Sequence, residues 1–93
     1  MIKEIKRTSQ FKKDYKKAIK QGCSEADFKE ILKYLVNQEP LPEKYRDHKL
    51  VDTKEYKNVR ECHIWSDWLL IYRIHKSQLI LELIRTGSHS ELF

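Results

Sequence analysis

The chain has 93 residues, of which 40% are hydrophobic and 35% are charged, with only two glycines and two prolines. This length allows one domain over residues 1–93 with a surface groove as its active site, and the composition excludes disordered and collagen-like classes. The net charge is +5, and residues 1–20 carry +6 whereas the remainder sums to −1. A basic segment on a nearly neutral body indicates a polyanion partner, either nucleic acid or an acidic protein, although a solvated helix face has the same composition.

Neither a membrane span nor a secretion signal is visible in the sequence. The longest uninterrupted apolar stretch, residues 68–72, is far shorter than the ~20 residues that cross a bilayer. The charged N-terminus is not followed by an apolar segment with a cleavage site. We therefore expect no membrane association and a cytoplasmic location, where Cys23 and Cys62 are reduced and structural.

Two helices are predicted in the first half of the chain, after a weak strand over residues 2–7. Thr8 or Ser9 caps a helix that runs to about residue 21, and Gly22 ends it in a left-handed conformation. Ser24 caps a second helix that stops before Pro40. Apolar residues repeat at helical spacing in both segments: Phe11, Tyr15, Ala18 and Ile19, then Phe28, Ile31, Leu32, Leu35 and Val36.

The second half changes to the two-residue period of strands. A short strand is predicted at residues 47–50, then longer ones near residues 59–64, 68–74 and 79–85, with a hairpin connection at residues 75–78. Alternation places Glu61 and His63 on one face of their strand, and Leu83 and Arg85 together on one face of the last. These elements predict an α+β fold, with two helices on one face of a small antiparallel sheet and the other face left for function.

The candidate chemistry lies in three histidines from separate segments, His48, His63 and His89. The common phosphate-loop, zinc and acyl-transfer motifs are absent from the sequence. An isolated histidine is more often structural, and His75, at the hairpin tip, is expected to be uninvolved. A converging set suits general acid–base cleavage of RNA, because imidazole can both accept and donate a proton near neutral pH. Zinc is disfavoured because no paired ligand spacing is present, so we expect no metal and no cofactor.

Several short motifs, in the same order, resemble a known family over nearly the whole chain. They are FKKD at 11–14, LP at 41–42, DHKL at 47–50, RECHI at 60–64, DWLLIY at 67–72 and RTGSHSELF at 85–93. The chain resembles the YafQ branch of the RelE/ParE superfamily of type II toxin–antitoxin toxins. The resemblance implies a RelE-like fold and an endoribonuclease, an mRNA interferase that enters the ribosomal A site, cuts the messenger there and stops translation. It also implies a cognate antitoxin, with operator DNA bound only by the toxin–antitoxin complex.

The resemblance also implies roles for individual residues. The family's functional positions fall on His48, His63, Asp67 and His89. We expect His89, on a mobile tail after Gly87, to be the general acid and His63 or Asp67 to be the general base. His48 would hold the phosphate or stabilise its charge. The acid and base can be exchanged in this scheme, and Asp67 can instead raise the basicity of a histidine.

Further residues are expected to contact the RNA. Arg85 would contact phosphate, Phe93 would position or stack on a base, and Glu61, also assigned to the RNA site, would orient His63. The basic stripe of the first helix would contact ribosomal RNA through Lys12, Lys13, Lys16, Lys17 and Lys20. Two alternatives remain: a ParE-like toxin that acts on DNA gyrase without nuclease activity, and a binding-only inhibitor or repressor partner.

Overall fold

The computed structural model describes residues 1–93 and contains a five-stranded sheet with two helices of twelve residues and one short C-terminal helix. The helices are α1 (Ser9–Lys20), α2 (Glu25–Val36) and α3 (His89–Leu92). The strands are β1 (Glu4–Arg7), β2 (His48–Lys49), β3 (Arg60–Trp65), β4 (Trp68–His75) and β5 (Ile80–Gly87). None of the helices is long and apolar enough to cross a membrane.

The sheet is mixed, with the strand order β1-β5-β4-β3-β2. Strands β2 to β5 form the predicted antiparallel meander. Strand β1 lies parallel to β5 at the sheet edge, so the sheet is not antiparallel throughout. A parallel pair needs a long crossover connection, and the chain between β1 and β5 supplies one that includes both long helices.

Both long helices begin and end where their capping residues predict. The Thr8 side chain accepts a hydrogen bond from the Phe11 N–H at 2.9 Å, and the Ser24 side chain accepts one from the Asp27 N–H at 3.2 Å. Gly22 follows α1 with φ of +95°, a conformation that glycine adopts without steric strain. The caps therefore confirm the helical hairpin predicted from the sequence.

Apolar side chains fill both faces of the sheet, but unequally. The larger cluster lies between the sheet and the helices and includes Phe11, Phe28, Ile31, Leu35, Cys62, Leu70, Tyr72, Leu81 and Leu83. A smaller cluster covers part of the opposite face: Tyr56, Val59, Leu69, Ile71 and Leu92. The face expected to be left for function is thus partly closed, by the loop that carries Tyr56 and by α3.

A bulge in β5 changes the predicted faces of the last strand. Leu83 pairs with Tyr72 and Arg85 with Ile71, so Ile84 is the extra residue. Because paired residues share a face, Arg85 lies opposite to Leu83 and not beside it, contrary to the simple alternation. The strand also begins at Ile80 and not at Leu79, since Leu79 has φ of +55° in the preceding turn.

Candidate active site

The two-residue strand β2 brings His48 against the buried carboxylate of Glu61. His48 pairs with Glu61 across the β2–β3 ladder, and His63 follows on the same face of β3. The Nε2 atoms of His48 and His63 lie 3.2 and 3.3 Å from the same oxygen, Oε1 of Glu61. Glu61 is only 6% exposed, so its side chain is held between the two imidazoles. The predicted sharing of a face by Glu61 and His63 is confirmed.

Both imidazoles have hydrogen-bond acceptors on each side. The Nδ1 atom of His48 lies 3.2 Å from its neighbour's carbonyl oxygen, on Lys49, and Nδ1 of His63 lies 3.3 Å from the carbonyl oxygen of Ser66. Acceptors on two sides of a ring restrict the orientation of its plane. These contacts therefore hold both imidazoles in place beside Glu61.

Three adjacent strands connect this cluster to the C-terminal helix. His63 pairs with Leu69 on β4, and Leu69 pairs in turn with Gly87 on β5. At about 4.8 Å between neighbouring strands, the backbones at His63 and Gly87 are roughly 10 Å apart. His89 follows two residues later, so a phosphodiester has room between the two histidine segments.

Asp67 holds the start of α3. Its Oδ1 atom accepts a hydrogen bond of 2.9 Å from the backbone N–H of His89. Asp67, His89, Ser90 and Phe93 line an open groove of about 520 Å³, as expected of a surface site. The His89 ring makes an edge contact with Phe93 at 5.1 Å between ring centroids, and neither of its nitrogens is hydrogen-bonded within the protein.

The segment that carries His89 is a capped and anchored helical turn, not the mobile tail expected after Gly87. Ser88 and Glu91 form a reciprocal capping box, and the Tyr56 hydroxyl donates to the Leu92 carbonyl at 3.3 Å. Leu92 itself is buried in the smaller apolar cluster. These contacts order the terminus because they satisfy its backbone groups and bury its one apolar anchor.

Lys17 of α1 adds an ion pair to this turn. Its Nζ atom lies 2.5 Å from Oε2 of Glu91. This hydrogen bond, with those from Ser88, lowers the pKa of Glu91 to about 2. The predicted RNA-contacting Lys17 is therefore engaged within the protein, whereas the other four lysines of the stripe are exposed without an ion-pair partner: Lys12, Lys13, Lys16 and Lys20.

Arg85, the predicted phosphate contact, forms a two-point ion pair with Asp14. Its Nε and Nη2 atoms donate to the two carboxylate oxygens at 2.9 and 3.0 Å, and the Thr86 N–H adds a third bond. Burial favours the neutral acid, yet the bonds from Arg85, Gln10 and Thr86 outweigh it and hold the pKa of Asp14 below its usual range. The geometry leaves Nη1 as the guanidinium nitrogen not bonded to Asp14.

A family model for YafQ, described as a bacterial toxin of a type II toxin–antitoxin system, matches residues 3–93. The chain belongs to the YafQ toxin family. It is 36% identical over 92 residues to the mRNA interferase toxin YafQ of Escherichia coli strain B, an alignment that covers 98% of this chain and 96% of that protein. The sequence-based expectation of an endoribonuclease agrees with that relative's name.

Solved structures of toxins have the same fold as this YafQ family member. A metal-bound toxin from Helicobacter pylori is 40% identical with a TM-score of 0.89, and all of both chains is covered. The Escherichia coli DinJ–YafQ complex contains a chain that is 35% identical with a TM-score of 0.86, covering 100% of this chain and 99% of that one. These similarities confirm the α+β fold and the toxin family that the motifs predicted.

His48, Glu61 and His63 also form a set of potential metal ligands in this YafQ-family fold. Their donor atoms, two imidazole nitrogens and one carboxylate oxygen, all lie within 4.8 Å of one another. Three protein ligands of these types fit a zinc or copper ion with an open coordination position. The sequence argument against a metal depended on the absence of a paired spacing, but here the pairing is made across two strands.

Sequence reasoning missed three residues that support the site of this family member: Asp14, Tyr56 and Glu91. Glu91 had a usable signal, since Ser88 and Glu91 have the spacing of a capping box that starts a helix. Asp14 is an acid among the lysines of α1, but its partner lies 71 residues away. Tyr56 lies in a polar loop, and only the folded chain brings its hydroxyl to α3.

Proposed function

We propose that this YafQ-family toxin is a ribosome-dependent endoribonuclease that cuts messenger RNA in the ribosomal A site by metal-independent acid–base catalysis. The observation that carries the proposal is the placement of three histidines, one buried glutamate and one aspartate along one side of the sheet, from β2 across to α3. Its curated relative in Escherichia coli is named an mRNA interferase.

The reaction needs two proton transfers and one source of positive charge. A base removes the proton of the 2′-hydroxyl, the 2′-oxygen attacks the adjacent phosphorus, and the bond from phosphorus to the 5′-oxygen breaks. An acid gives its proton to that 5′-oxygen, which leaves a 2′,3′-cyclic phosphate and a 5′-hydroxyl. Each positioned acid or base contributes about 10²–10⁴-fold to such a rate.

The contacts support particular residues for these steps. His89 is the general acid because its ring nitrogens are free of protein partners and its backbone is fixed by Asp67. His63 or Asp67 is the base, and His48, oriented by Glu61, donates a hydrogen bond that stabilises the negative charge on the phosphoryl oxygens. Phe93 lies beside His89 with its side chain exposed, as a ring that stacks on a base requires.

The binding partners follow from the charge distribution and the family. The four unpaired lysines of α1 bind ribosomal RNA, and this attraction weakens as salt increases. Arg85 contacts phosphate through the guanidinium nitrogen that Asp14 leaves free. A cognate antitoxin inhibits the toxin, as the DinJ–YafQ complex of a relative suggests, and the complex binds operator DNA. We place the toxin in the cytoplasm with its ribosomes.

The decisive experiment is primer extension on a defined messenger in a reconstituted translation reaction. We expect codon-phased cuts with the wild-type toxin and ribosomes, and none from the His63→Ala, His89→Ala double variant or from wild type without ribosomes. Blocked translation without cuts would contradict the nuclease and leave a binding-only inhibitor. No effect on translation at all would direct the search to gyrase.

The histidine–glutamate cluster favours metal binding as a second activity of the same surface, as does the metal-bound toxin from Helicobacter pylori. A metal would occupy the imidazole lone pairs that proton transfer requires, so we propose that it inhibits cleavage. With Mg²⁺ kept in excess for the ribosome, we expect a chelator selective for zinc and copper to leave cleavage unchanged, and added zinc or copper to inhibit it. Loss of activity in that chelator, with recovery on adding zinc or copper, would overturn the metal-independent mechanism.

Calorimetry would locate the ion. We expect the His48→Ala, His63→Ala variant to lose zinc binding, whereas a His75→Ala control retains it. His75 is a suitable control because its ring bonds to Glu82 at 3.0 Å, outside the cluster. Equal loss of affinity in both variants would place the metal elsewhere.

A further inference from the structure

The strand that carries His48 is too short to fix its side chain by pairing alone. Strand β2 pairs with β3 at only two positions and lies at the edge of the sheet. Arg46, two residues before His48, has a left-handed backbone with φ of +48°. The His48 side chain is 50% exposed. A half-exposed imidazole on a two-residue edge strand needs a further constraint to stay within reach of Glu61.

Asp47, the neighbour of His48, is held by both of its carboxylate oxygens. Arg60 donates to Oδ2 from Nη2 at 2.8 Å and from Nε at 3.2 Å, and the Tyr72 hydroxyl donates to Oδ1. Arg60 and Tyr72 are paired across β3 and β4, and Tyr72 is only 2% exposed. The charge-assisted bonds therefore tie β2 to two central residues of the sheet.

Asp47 and His48 are adjacent, so in extended backbone their side chains point to opposite faces of the sheet. Asp47 meets Tyr72, which belongs to the helix-side cluster, while His48 meets Glu61 on the other face. Because one peptide unit joins the two residues, a displacement of Asp47 also displaces the His48 imidazole. Asp47 is thus bonded to side chains on both β3 and β4.

We propose that Asp47, held by Arg60 and Tyr72, is a positioning residue that fixes the His48 imidazole against Glu61 for cleavage. This inference rests on the proposed nuclease function. It differs from a purely structural role, in which the Asp47 cluster stabilises the fold without a specific effect on His48.

Kinetics can separate the two roles through a double-mutant cycle. We expect Asp47→Ala to lower kcat on the order of 10–100-fold with little change in KM, because a small misplacement of a catalytic group has an effect of this size. In a His48→Ala background the same substitution should cost less than about twofold, since the group that it positions is gone. Equal losses in both backgrounds would overturn the proposal.

Glu82→Gln provides the matched control. Glu82 also accepts a hydrogen bond from an arginine, Arg73 at 2.9 Å, but it lies in a different cluster and bonds to His75. We expect this variant to keep full activity. Tyr72→Phe, which removes only the hydroxyl that binds Asp47, is the second test variant and guards against misfolding of Asp47→Ala.

Imidazole NMR tests the positioning without any need for activity. We expect the chemical shifts of the His48 ring resonances to change in Asp47→Ala and Tyr72→Phe, while those of His75 and His89 stay unchanged. Unchanged His48 resonances would overturn the positioning role even if cleavage falls. A wild-type toxin that cuts no RNA would instead refute the proposed function, and the NMR result would still decide the geometric claim.

Discussion

At the scale of single residues, the site depends on how each polar side chain is partnered. Glu61 is almost fully buried, yet one of its oxygens faces two imidazoles. Burial of a carboxylate is costly unless charged or hydrogen-bonding groups compensate it. The two histidine neighbours therefore compensate for the burial of Glu61.

We expect Glu61→Gln to slow cleavage on the order of 10–100-fold, because the amide keeps the size of the side chain but holds the two imidazoles less firmly. Single-turnover cleavage on ribosomes measures the effect. Glu55→Gln is the control, since Glu55 is exposed and makes no hydrogen bond or ion pair. Full activity of Glu61→Gln would contradict a role in catalysis.

His89 and His75 make a second matched pair at this scale. We expect His89→Ala to reduce the cleavage rate by about 10²–10⁴-fold, the usual contribution of a general acid. His75→Ala should have no effect, because its partner Glu82 is outside the site. The same single-turnover assay applies, and similar rates for the two variants would remove His89 from the mechanism.

At the scale of elements, α3 is a four-residue helix whose stability comes from its contacts. An isolated helix this short does not form in water. Here the capping box, the buried Leu92, the hydrogen bond that Asp67 accepts and the ion pair with Lys17 compensate for the backbone entropy lost on ordering. Several weak contacts thereby fix the position of His89 at the start of α3.

The pH dependence of stability should reveal the Lys17–Glu91 pair. The pKa of Glu91 is about 2 in the folded protein, below its unfolded value of 4.5. The pair therefore stabilises the fold fully above about pH 4.5, and this stabilisation is lost as the pH falls towards 2. Side chains this exposed contribute at most about 1 kcal/mol. We expect Glu91→Gln to lower the Tm slightly at pH 7 and not at pH 2; a constant difference would contradict the assignment.

At the scale of the whole molecule, the charge is divided between a basic helix and a nearly neutral body. The unpaired lysines of α1 project from the helix that also holds Arg85 through Asp14. A field of one sign next to the site attracts a polyanion and orients it during encounter. This division favours a polyanionic partner, either nucleic acid or an acidic protein, over a small uncharged substrate.

Reversal of Lys12, Lys13 and Lys16 to glutamate should weaken ribosome binding and reduce its salt dependence. Each lost phosphate contact removes about 0.7–0.9 from the slope of log K against log salt, so the slope should fall by about 2–3. Binding measured at several salt concentrations tests this. Reversal of Lys33, Lys54 and Lys76, which are exposed elsewhere, is the control for net charge; an equal effect would argue against a localised contact.

The sequence by itself determined the features that depend on local spacing. Helical periodicity and the caps at Thr8 and Ser24 predicted both long helices, because these signals involve residues within one turn. Strand alternation placed Glu61 and His63 on the same face, since residues two positions apart in a regular strand point the same way. The ordered set of short motifs indicated the family.

Only the tertiary structure decided the features that join distant segments. The parallel pairing of β1, the bulge at Ile84, and the partnership of Asp14 with Arg85 each depend on how strands and helices meet, which no local pattern records. The same holds for the single Glu61 oxygen shared by His48 and His63. Residue types and periods are local properties, whereas register and side-chain partners are set when the whole core packs, so the composition of the site was predictable and its geometry was not.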